Sequence, residues 1–218
     1  MILRLLISST LRAHGRISFL SKLPPQSKIL DVGCGNSSPF YVKQVLPKCE
    51  YTGIDVCDYN QSKPNLADHY IVTSPNNFTS EISKLSDTFD AVISSHNLEH
   101  CDDRSGTLKA MLSSLKVGGQ IYISFPCEDS VSFPSRCGTL NYFDDVSHKS
   151  PPPNFHELLE TLRQARFEII FKTQHYKPNF LWLLGLFCEP FSAYKRKLLP
   201  GTWEYYGFES IIWAKKTR

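Results

Sequence analysis

The sequence predicts an α/β fold in which a mostly parallel β-sheet carries helices on both faces. Short apolar runs typical of buried strands alternate with segments whose apolar residues recur at helical spacing. The segment 28–40 joins one such strand to a helix through two glycines, and 218 residues with 41% hydrophobic composition suffice for one globular domain. These observations place a ligand-admitting turn at the centre of the fold.

The segment 28–40 reads K-I-L-D-V-G-C-G-N-S-S-P-F. Its residues 29–32 form a short strand, and Gly33 and Gly35 permit backbone conformations that a side chain would forbid. Pro39 suits the first position of the following helix, and we expect Ser38 to be its N-cap. The strand, turn and helix together form a nucleotide-binding half-unit.

Two acidic residues make this turn more specific. Asp55 ends the next apolar run, twenty residues after Gly35, where a carboxylate accepts both ribose hydroxyls of an adenosine. A dinucleotide fingerprint would have its third glycine at Ser38, so a pyrophosphate is disfavoured. A sulfonium ligand with an amino-acid tail has no such requirement, and Asp31 is placed to orient its ammonium group.

The remaining elements follow the same alternating pattern. Leu108, Met111, Leu112 and Leu115 form the apolar stripe of a helix that we expect to end at a Gly118–Gly119 cap. Asn154, with Glu157 three residues later, is predicted to cap a further helix. Strands are predicted over 69–73, 90–96, 121–125 and 167–171, with a last, antiparallel strand over 209–214.

Four motifs in order resemble those of class I S-adenosylmethionine-dependent methyltransferases. They are D-V-G-C-G (31–35), G-I-D (53–55), the fourth-strand segment 89–100 and L-K-V-G-G (115–119). The resemblance implies a Rossmann-like, seven-stranded, mostly parallel sheet of order 3-2-1-4-5-7-6 in one domain over 1–218. It also implies S-adenosylmethionine as the cofactor and methyl transfer as the reaction.

We predict the cofactor site from these motifs and from the carboxyl end of the fourth strand. Family members often place an acid after the third strand to bind the adenine amine, whereas this chain offers Asn76 and Asn77 among the residues 73–77. Which residue binds the adenine stays open. The predicted cofactor-binding residues are Asp31, Gly33, Cys34, Gly35, Asn36, Asp55, Val56, Ser95 and His96.

The loop 126–153 is expected to form the acceptor pocket. His148, oriented by Asp144 or Asp145, is the first candidate for a general base, because a histidine beside a carboxylate takes up a proton near neutral pH. The alternative is that these residues only pin the loop through ion pairs and turn hydrogen bonds. His100, in L-E-H, is a second catalytic candidate, although a structural role is favoured for it.

Two further segments are predicted outside the core motifs. A helix is expected over 2–22, and an aromatic insertion over 176–207. The apolar block 180–187 is expected to pack on the domain or on a second copy in a homodimer. Membrane contact through 180–187 is disfavoured because the block has no basic polar face.

Composition excludes several classes of protein. A net charge of +3, from 24 basic and 21 acidic residues, is too balanced to indicate nucleic-acid binding, which normally requires a concentrated basic stripe. Seven cysteines without a C-x-x-C pair indicate neither a disulfide framework nor a zinc site, so we predict no metal and a reducing, cytoplasmic environment.

The predicted function is methyl transfer to a small-molecule or glycan acceptor, on oxygen. The segments 133–149 and 200–210 are similar to uncharacterised bacterial methyltransferases, some of them near surface-glycan genes. The alternative is a cofactor-binding regulatory or assembly protein without turnover. An open pocket beside His148 would favour the enzyme, and a loop that plugs the site would favour the alternative.

Overall fold

A seven-stranded sheet forms the centre of the computed structural model, which describes residues 10–59 and 61–218. The strands are β1 (Lys28–Val32), β2 (Glu50–Asp55), β3 (His69–Val72), β4 (Phe89–Ser95), β5 (Leu115–Pro126), β6 (Phe167–Thr173) and β7 (Glu209–Lys216). Their order is β3-β2-β1-β4-β5-β7-β6, with β7 antiparallel to both neighbours. The predicted fold class and strand order are confirmed.

Helices cover both faces of this sheet. They are α1 (Arg16–Ser21), α2 (Ser38–Val45), α3 (Phe78–Ser83), α4 (Arg104–Ser114), α5 (Phe155–Gln164), α6 (Asn179–Lys195) and α7 (Thr202–Tyr206). Because side chains alternate along a strand, β1 sends Leu30 and Val32 into one buried apolar cluster and Ile29 into the other. Because β1 runs parallel to β2 and to β4, the carboxyl ends of these three strands meet at one edge of the sheet, where the glycine turn lies.

The N-terminal segment differs from the single helix predicted over 2–22. Residues 2–9 lie outside the described part of the chain, and within that part the chain turns at 12–15 before α1 begins. The turn carries Arg12 to an ion pair with Glu209 and lays the His14 ring on Phe171 at 3.7 Å. These contacts across the fold replace the continuous helix.

Two predicted helix ends are also wrong. Helix α2 begins at Ser38 itself with Ser37 as its N-cap, and the Ser38 hydroxyl donates instead to the Asp31 carboxylate. Helix α4 ends at Ser114, four residues before Gly118, because Leu115 is already paired with Phe89 in the sheet. In both cases a tertiary contact takes a residue that local sequence assigned to the helix or to its cap.

The loop 126–153 connects β5 to α5 through two short 3₁₀ helices, Glu128–Ser132 and Tyr142–Asp144. Asn154 caps α5 as predicted, with its side chain accepting from the Glu157 amide. The insertion 176–207 forms α6 and α7. The described residues contain no helix long and apolar enough to cross a membrane.

Candidate functional site

The glycine turn between β1 and α2 forms one wall of a cavity of about 930 Å³. Gly33 and Gly35 have φ of +72° and +55°, which side chains rarely adopt. A Cβ added to Gly33 would lie 2.4 Å from the Asn97 amide oxygen, whereas one added to Gly35 would meet nothing within 4 Å. Gly33 is therefore required for packing against Asn97, and Gly35 leaves room for a ligand.

Asp55 fixes this turn from the tip of β2. Its two carboxylate oxygens accept from the Gly35 amide at 2.7 Å and from the Val56 amide at 2.7 Å. Burial raises the pKa of Asp55 above its ordinary value, and the two amides oppose that shift only in part. The carboxylate lies on the cavity wall, where it is available to ribose hydroxyls.

The predicted cofactor residues divide into two groups. Gly33, Gly35, Asn36, Asp55, Val56 and His96 line the large cavity. Asp31 lies behind the turn, 1% exposed, and accepts from Ser38 and from the Tyr51 hydroxyl. Cys34 is buried beside Gly53, and Ser95 lines a separate cavity of about 290 Å³. Asp31 thus braces the turn from inside the fold.

The wall opposite the glycine turn contains residues that the sequence did not single out. Tyr59, Thr79 and Thr107 line the cavity, and Asn76, in the 3₁₀ helix Pro75–Asn77, lines it as well. Among the asparagines left open for the adenine, the structure therefore brings Asn76 to the cavity. Tyr59 lies in an irregular stretch without a recognisable period, so no sequence signal marked it.

Asp144 holds the acceptor loop together. Its carboxylate accepts from the amides of Arg136, Leu140 and Asn141 at 2.9 to 3.0 Å, and from the Ser135 hydroxyl. Partial burial raises its pKa, but these donors outweigh burial and lower it overall. The structure therefore gives Asp144 a role within the loop and does not place it as the partner of His148.

His148 lies behind the cavity wall with its side chain 4% exposed. Its Nδ1 is 2.6 Å from the Tyr142 carbonyl oxygen, while its Nε2 is 3.9 Å from the nearer Asp145 oxygen. The prediction that an aspartate orients this ring is therefore wrong, because the main-chain carbonyl does so. The ring centroid lies 4.8 Å from that of His100.

His100 lines the cavity directly, as do Asp145, Ser147 and Lys149 of the acceptor loop. The Ser147 hydroxyl donates to Asp145 at 2.6 Å and lies 2.9 Å from His100 Nδ1. Since that hydroxyl proton is already used, His100 Nδ1 must be the donor to Ser147, and Nε2 makes no hydrogen bond to a described residue. The cavity thus has the glycine turn on one wall. Another wall contains His100 and the acceptor-loop residues Asp145, Ser147 and Lys149.

Comparison with known proteins agrees with this geometry. Residues 9–172, about three quarters of the chain, match the family described as a methyltransferase domain. The chain belongs to the class I S-adenosylmethionine-dependent methyltransferase family. S-adenosylmethionine is the cofactor of this family.

Individual relatives are more distant. An uncharacterised protein of Methanocaldococcus jannaschii is 31% identical over 110 residues, which are 47% of this chain and 29% of that protein. The chain thus spans under a third of the length of this curated relative. The crystal structure of a SAM-dependent methyltransferase from Archaeoglobus fulgidus is 20% identical, with a TM-score of 0.57 over 97% of this chain and 93% of the other.

A further similar structure is a phosphoethanolamine N-methyltransferase of Haemonchus contortus, solved with phosphomonomethylethanolamine and S-adenosylhomocysteine. It is 13% identical, with a TM-score of 0.60 over 96% of this chain and 53% of the other. At this identity the likeness concerns the fold alone. The acceptor of the present methyltransferase domain has to be inferred from its own residues.

His96 occupies a buried charge network at the end of β4. Its Nδ1 lies 3.1 Å from Glu99 Oε1, within hydrogen-bond distance. Its Nε2 lies 3.3 Å from Glu209 Oε1, and this second contact does not have the geometry of a hydrogen bond. Burial lowers the pKa of His96, but the two glutamates outweigh burial and raise it to about 10. His96 is therefore an imidazolium that fills a structural position, at φ +51°, and cannot act as a base.

Glu209 and Arg12 complete this network, and neither was predicted. Burial raises the pKa of Glu209, but Arg12 and His96 lower it to about 2, and Arg12 also lies 3.8 Å from Glu204. Arg12 and Glu209 are 197 residues apart. No local sequence pattern signals a pair that meets only after the sheet has formed.

Proposed function

We propose that this methyltransferase domain transfers a methyl group from S-adenosylmethionine to a hydroxyl oxygen of a small-molecule or glycan acceptor. One observation carries the proposal. The cavity of about 930 Å³ is lined both by the cofactor turn, at Gly35 and Asp55, and by the acceptor loop, at Asp145 and Lys149. Donor and acceptor can therefore occupy one enclosed space, as in-line methyl transfer requires.

The residues of the turn fit the cofactor. The open space over Gly35 admits a ligand close to the backbone, and Asp55 offers its carboxylate to the ribose. Asn76 supplies an amide to the adenine. When bound, the cofactor supplies an electrophilic methyl group on a sulfonium.

The acceptor loop performs the protein's part of the reaction. It holds the acceptor oxygen about 3 Å from the methyl carbon and excludes water from the cavity. The hydroxyl proton leaves at the edge where His100 lines the cavity and His148 lies behind it. His96 is excluded from this step because it is already protonated.

The alternative, a cofactor-binding protein without turnover, requires a loop that plugs the site. The loop residues that line the wall instead leave the cavity open, which supports an enzyme; they are Asp145, Val146, Ser147 and Lys149. A reducing compartment such as the cytoplasm is part of the proposal, because all seven cysteines are free thiols, two of them exposed.

The experiment has two stages. Calorimetry with S-adenosylmethionine, S-adenosylhomocysteine and NAD tests the cofactor, and we expect binding of the first two only. Transfer of labelled methyl groups is then measured with acceptors that present hydroxyl, amine or thiol groups on sugar and phenol scaffolds. Labelling of hydroxyl acceptors supports the proposal. Cofactor binding without transfer to any acceptor class, including cell-extract metabolites and glycans, would favour the binding protein.

A further inference from the structure

Glu99, His100 and His148 form a cluster at the edge of the cofactor cavity. One ligand-type atom from each of the three lies within 4.8 Å of the other two. Glu99 and His100 share the 3₁₀ helix Leu98–His100, and His148 comes from the acceptor loop. The Lys149 amide donates to the Glu99 carbonyl oxygen at 2.8 Å, so the loop is attached to this helix by its backbone.

Both histidine rings are oriented as metal-ligating histidines usually are. In such sites the nitrogen that does not bind the metal donates to a carbonyl, carboxylate or other oxygen, and this fixes the ring. His148 Nδ1 meets the Tyr142 carbonyl, which can only accept, so Nδ1 carries the proton. His100 Nδ1 donates to Ser147, whose hydroxyl is held by Asp145. In each ring, Nε2 makes no hydrogen bond to a described residue.

Glu99 supplies the independent observation. Its side chain is fully buried, and its Oε1 is paired with His96. Its Oε2 is buried without a hydrogen-bond partner among the described residues. A buried carboxylate oxygen without a partner is costly, and binding a cation is a standard way to satisfy it.

We propose that one divalent first-row transition-metal cation binds to Glu99, His100 and His148. This proposal differs from the sequence-based prediction of a site without metal. Two imidazoles and one carboxylate are the ligand set of catalytic zinc sites and of the facial triad that binds Fe²⁺. Ligand atoms about 2.1 Å from a tetrahedral metal lie about 3.4 Å from one another. Since the three atoms here lie within 4.8 Å of one another, each would have to move by less than about 1 Å to bind the ion. The remaining coordination positions are left for water or substrate.

Carboxylates and cations both lie around the cluster. Asp145 lies 3.9 Å from His148 Nε2, and the Asp55 and Asp145 carboxylates both interact electrostatically with His100. Two cations also lie close by: Lys149 pairs with Asp102 at 2.9 Å, and the Arg104 guanidinium donates to the Glu99 carbonyl oxygen at 3.5 Å. The His96 ring lies 3.1 Å from Glu99 Oε1 on one side and 3.3 Å from Glu209 Oε1 on the other.

The role of the ion rests on the proposed function. An acceptor hydroxyl bound to the metal loses its proton to solvent more readily, because the cation stabilises the alkoxide. The alkoxide oxygen then forms a bond to the methyl carbon as the carbon–sulfur bond breaks. The electron pair of that bond stays on sulfur, which changes from a sulfonium to a neutral thioether. In this arrangement the histidines hold the ion and do not themselves accept the proton.

The test uses Co²⁺ alone and the full chain without a histidine tag, freed of metal by a chelator. We expect one equivalent of Co²⁺ to produce visible d–d absorption. A near-ultraviolet thiolate band should be absent, because the proposed ligands are nitrogen and oxygen. Loss of an outer partner of a metal ligand costs about 10–100-fold in affinity, so His100→Ala should cost at least about 100-fold. His148→Gln should behave similarly.

His156→Ala is the matched control, because His156 is exposed on α5 and outside the cluster. Calorimetry with S-adenosylhomocysteine verifies that each variant folds. Absence of a cobalt band, or a band unchanged in both cluster variants, would overturn the metal site. Methyl transfer that persists in protein shown to be metal-free would overturn the ion's role. Metal binding without methyl transfer to any acceptor, with Zn²⁺ or Mn²⁺ restored, would instead contradict the proposed function and leave the site standing.

Discussion

His96 and His100 are four residues apart, yet the fold gives them opposite properties. His96 lies between Glu99 and Glu209 and is held protonated. His100 lines the cavity with His148 behind it, and Nε2 of each ring makes no hydrogen bond to a described residue. Glu99 belongs to both regions, since Oε1 faces His96 and Oε2 has no partner within the described chain.

The two regions show that the role of a histidine depends on the hydrogen-bonding and charged groups around it. Two carboxylates make His96 a fixed cation that ties β4 to β7. A carbonyl oxygen and a hydroxyl fix the orientation of the His148 and His100 rings through Nδ1. Variants in the first region should therefore change stability, and variants in the second should change turnover. Four predictions test this division.

Glu209→Gln should have the largest effect, a loss of about 3 kcal/mol of unfolding free energy, because it leaves Arg12 and His96 without their shared buried anion. For a chain of this length the loss corresponds to a fall of about 6–12 °C in Tm, measured by calorimetry. Glu160→Gln is the control, since its ion pair with Arg163 is exposed and should change stability by less than about 0.5 kcal/mol.

The pH dependence of the unfolding free energy tests the same charge network. The pKa of Glu209 is lowered to about 2, so its stabilising contribution is present above its ordinary range near 4.5 and is lost as pH falls toward 2. His96, with its pKa raised to about 10, contributes below pH 6.5 and loses that contribution as pH rises through 10. An acid limb that is equally steep in Glu209→Gln would contradict this assignment.

His100→Ala should reduce methyl transfer by at least about 100-fold, whether His100 acts through a metal or directly on the proton. Its Tm should stay within a few degrees of the parent, because the ring is only half-buried at the cavity. S-adenosylhomocysteine affinity should be unchanged, and His156→Ala should transfer methyl groups at the parental rate. A turnover that matches the parent would remove His100 from the mechanism.

Asp55→Asn should weaken S-adenosylhomocysteine binding by about 10–100-fold, because charge-assisted hydrogen bonds to the Gly35 amide and the ribose become neutral ones. Calorimetry measures the change. Asp58→Asn, an exposed aspartate three residues later, should alter affinity by less than about twofold. Equal affinities in the two variants would show that the turn does not bind the ribose as proposed.

Ser147→Ala should have the smallest effect, about a tenfold loss of turnover or of Co²⁺ affinity, because it removes only the group that orients His100. Thermal stability should not change, since Ser147 is exposed. Ser132→Ala removes a comparable exposed hydroxyl from the same loop and should be silent. A tenfold loss in both variants would indicate a general loosening of the loop.

The sequence singled out several residues that line the cavity. Glycines at 33 and 35 and an acid at 55 are local requirements of a tight turn beside a strand tip, and they line the cavity. It misjudged Asp144, because a carboxylate near a histidine in sequence can instead accept from its own loop. It also missed Tyr59, which has no periodic neighbours, and the buried pair of Arg12 and Glu209.

What the sequence determined by itself is the order of strands and helices and the family to which they belong, because hydrophobic periodicity and glycine positions act over a few residues. The partners of each histidine ring became visible only in the folded structure. These partners include Glu209 and Tyr142, which reach His96 and His148 through folding of the sheet and of the acceptor loop. A pKa is set by neighbours in space, and most of those neighbours are remote in the chain.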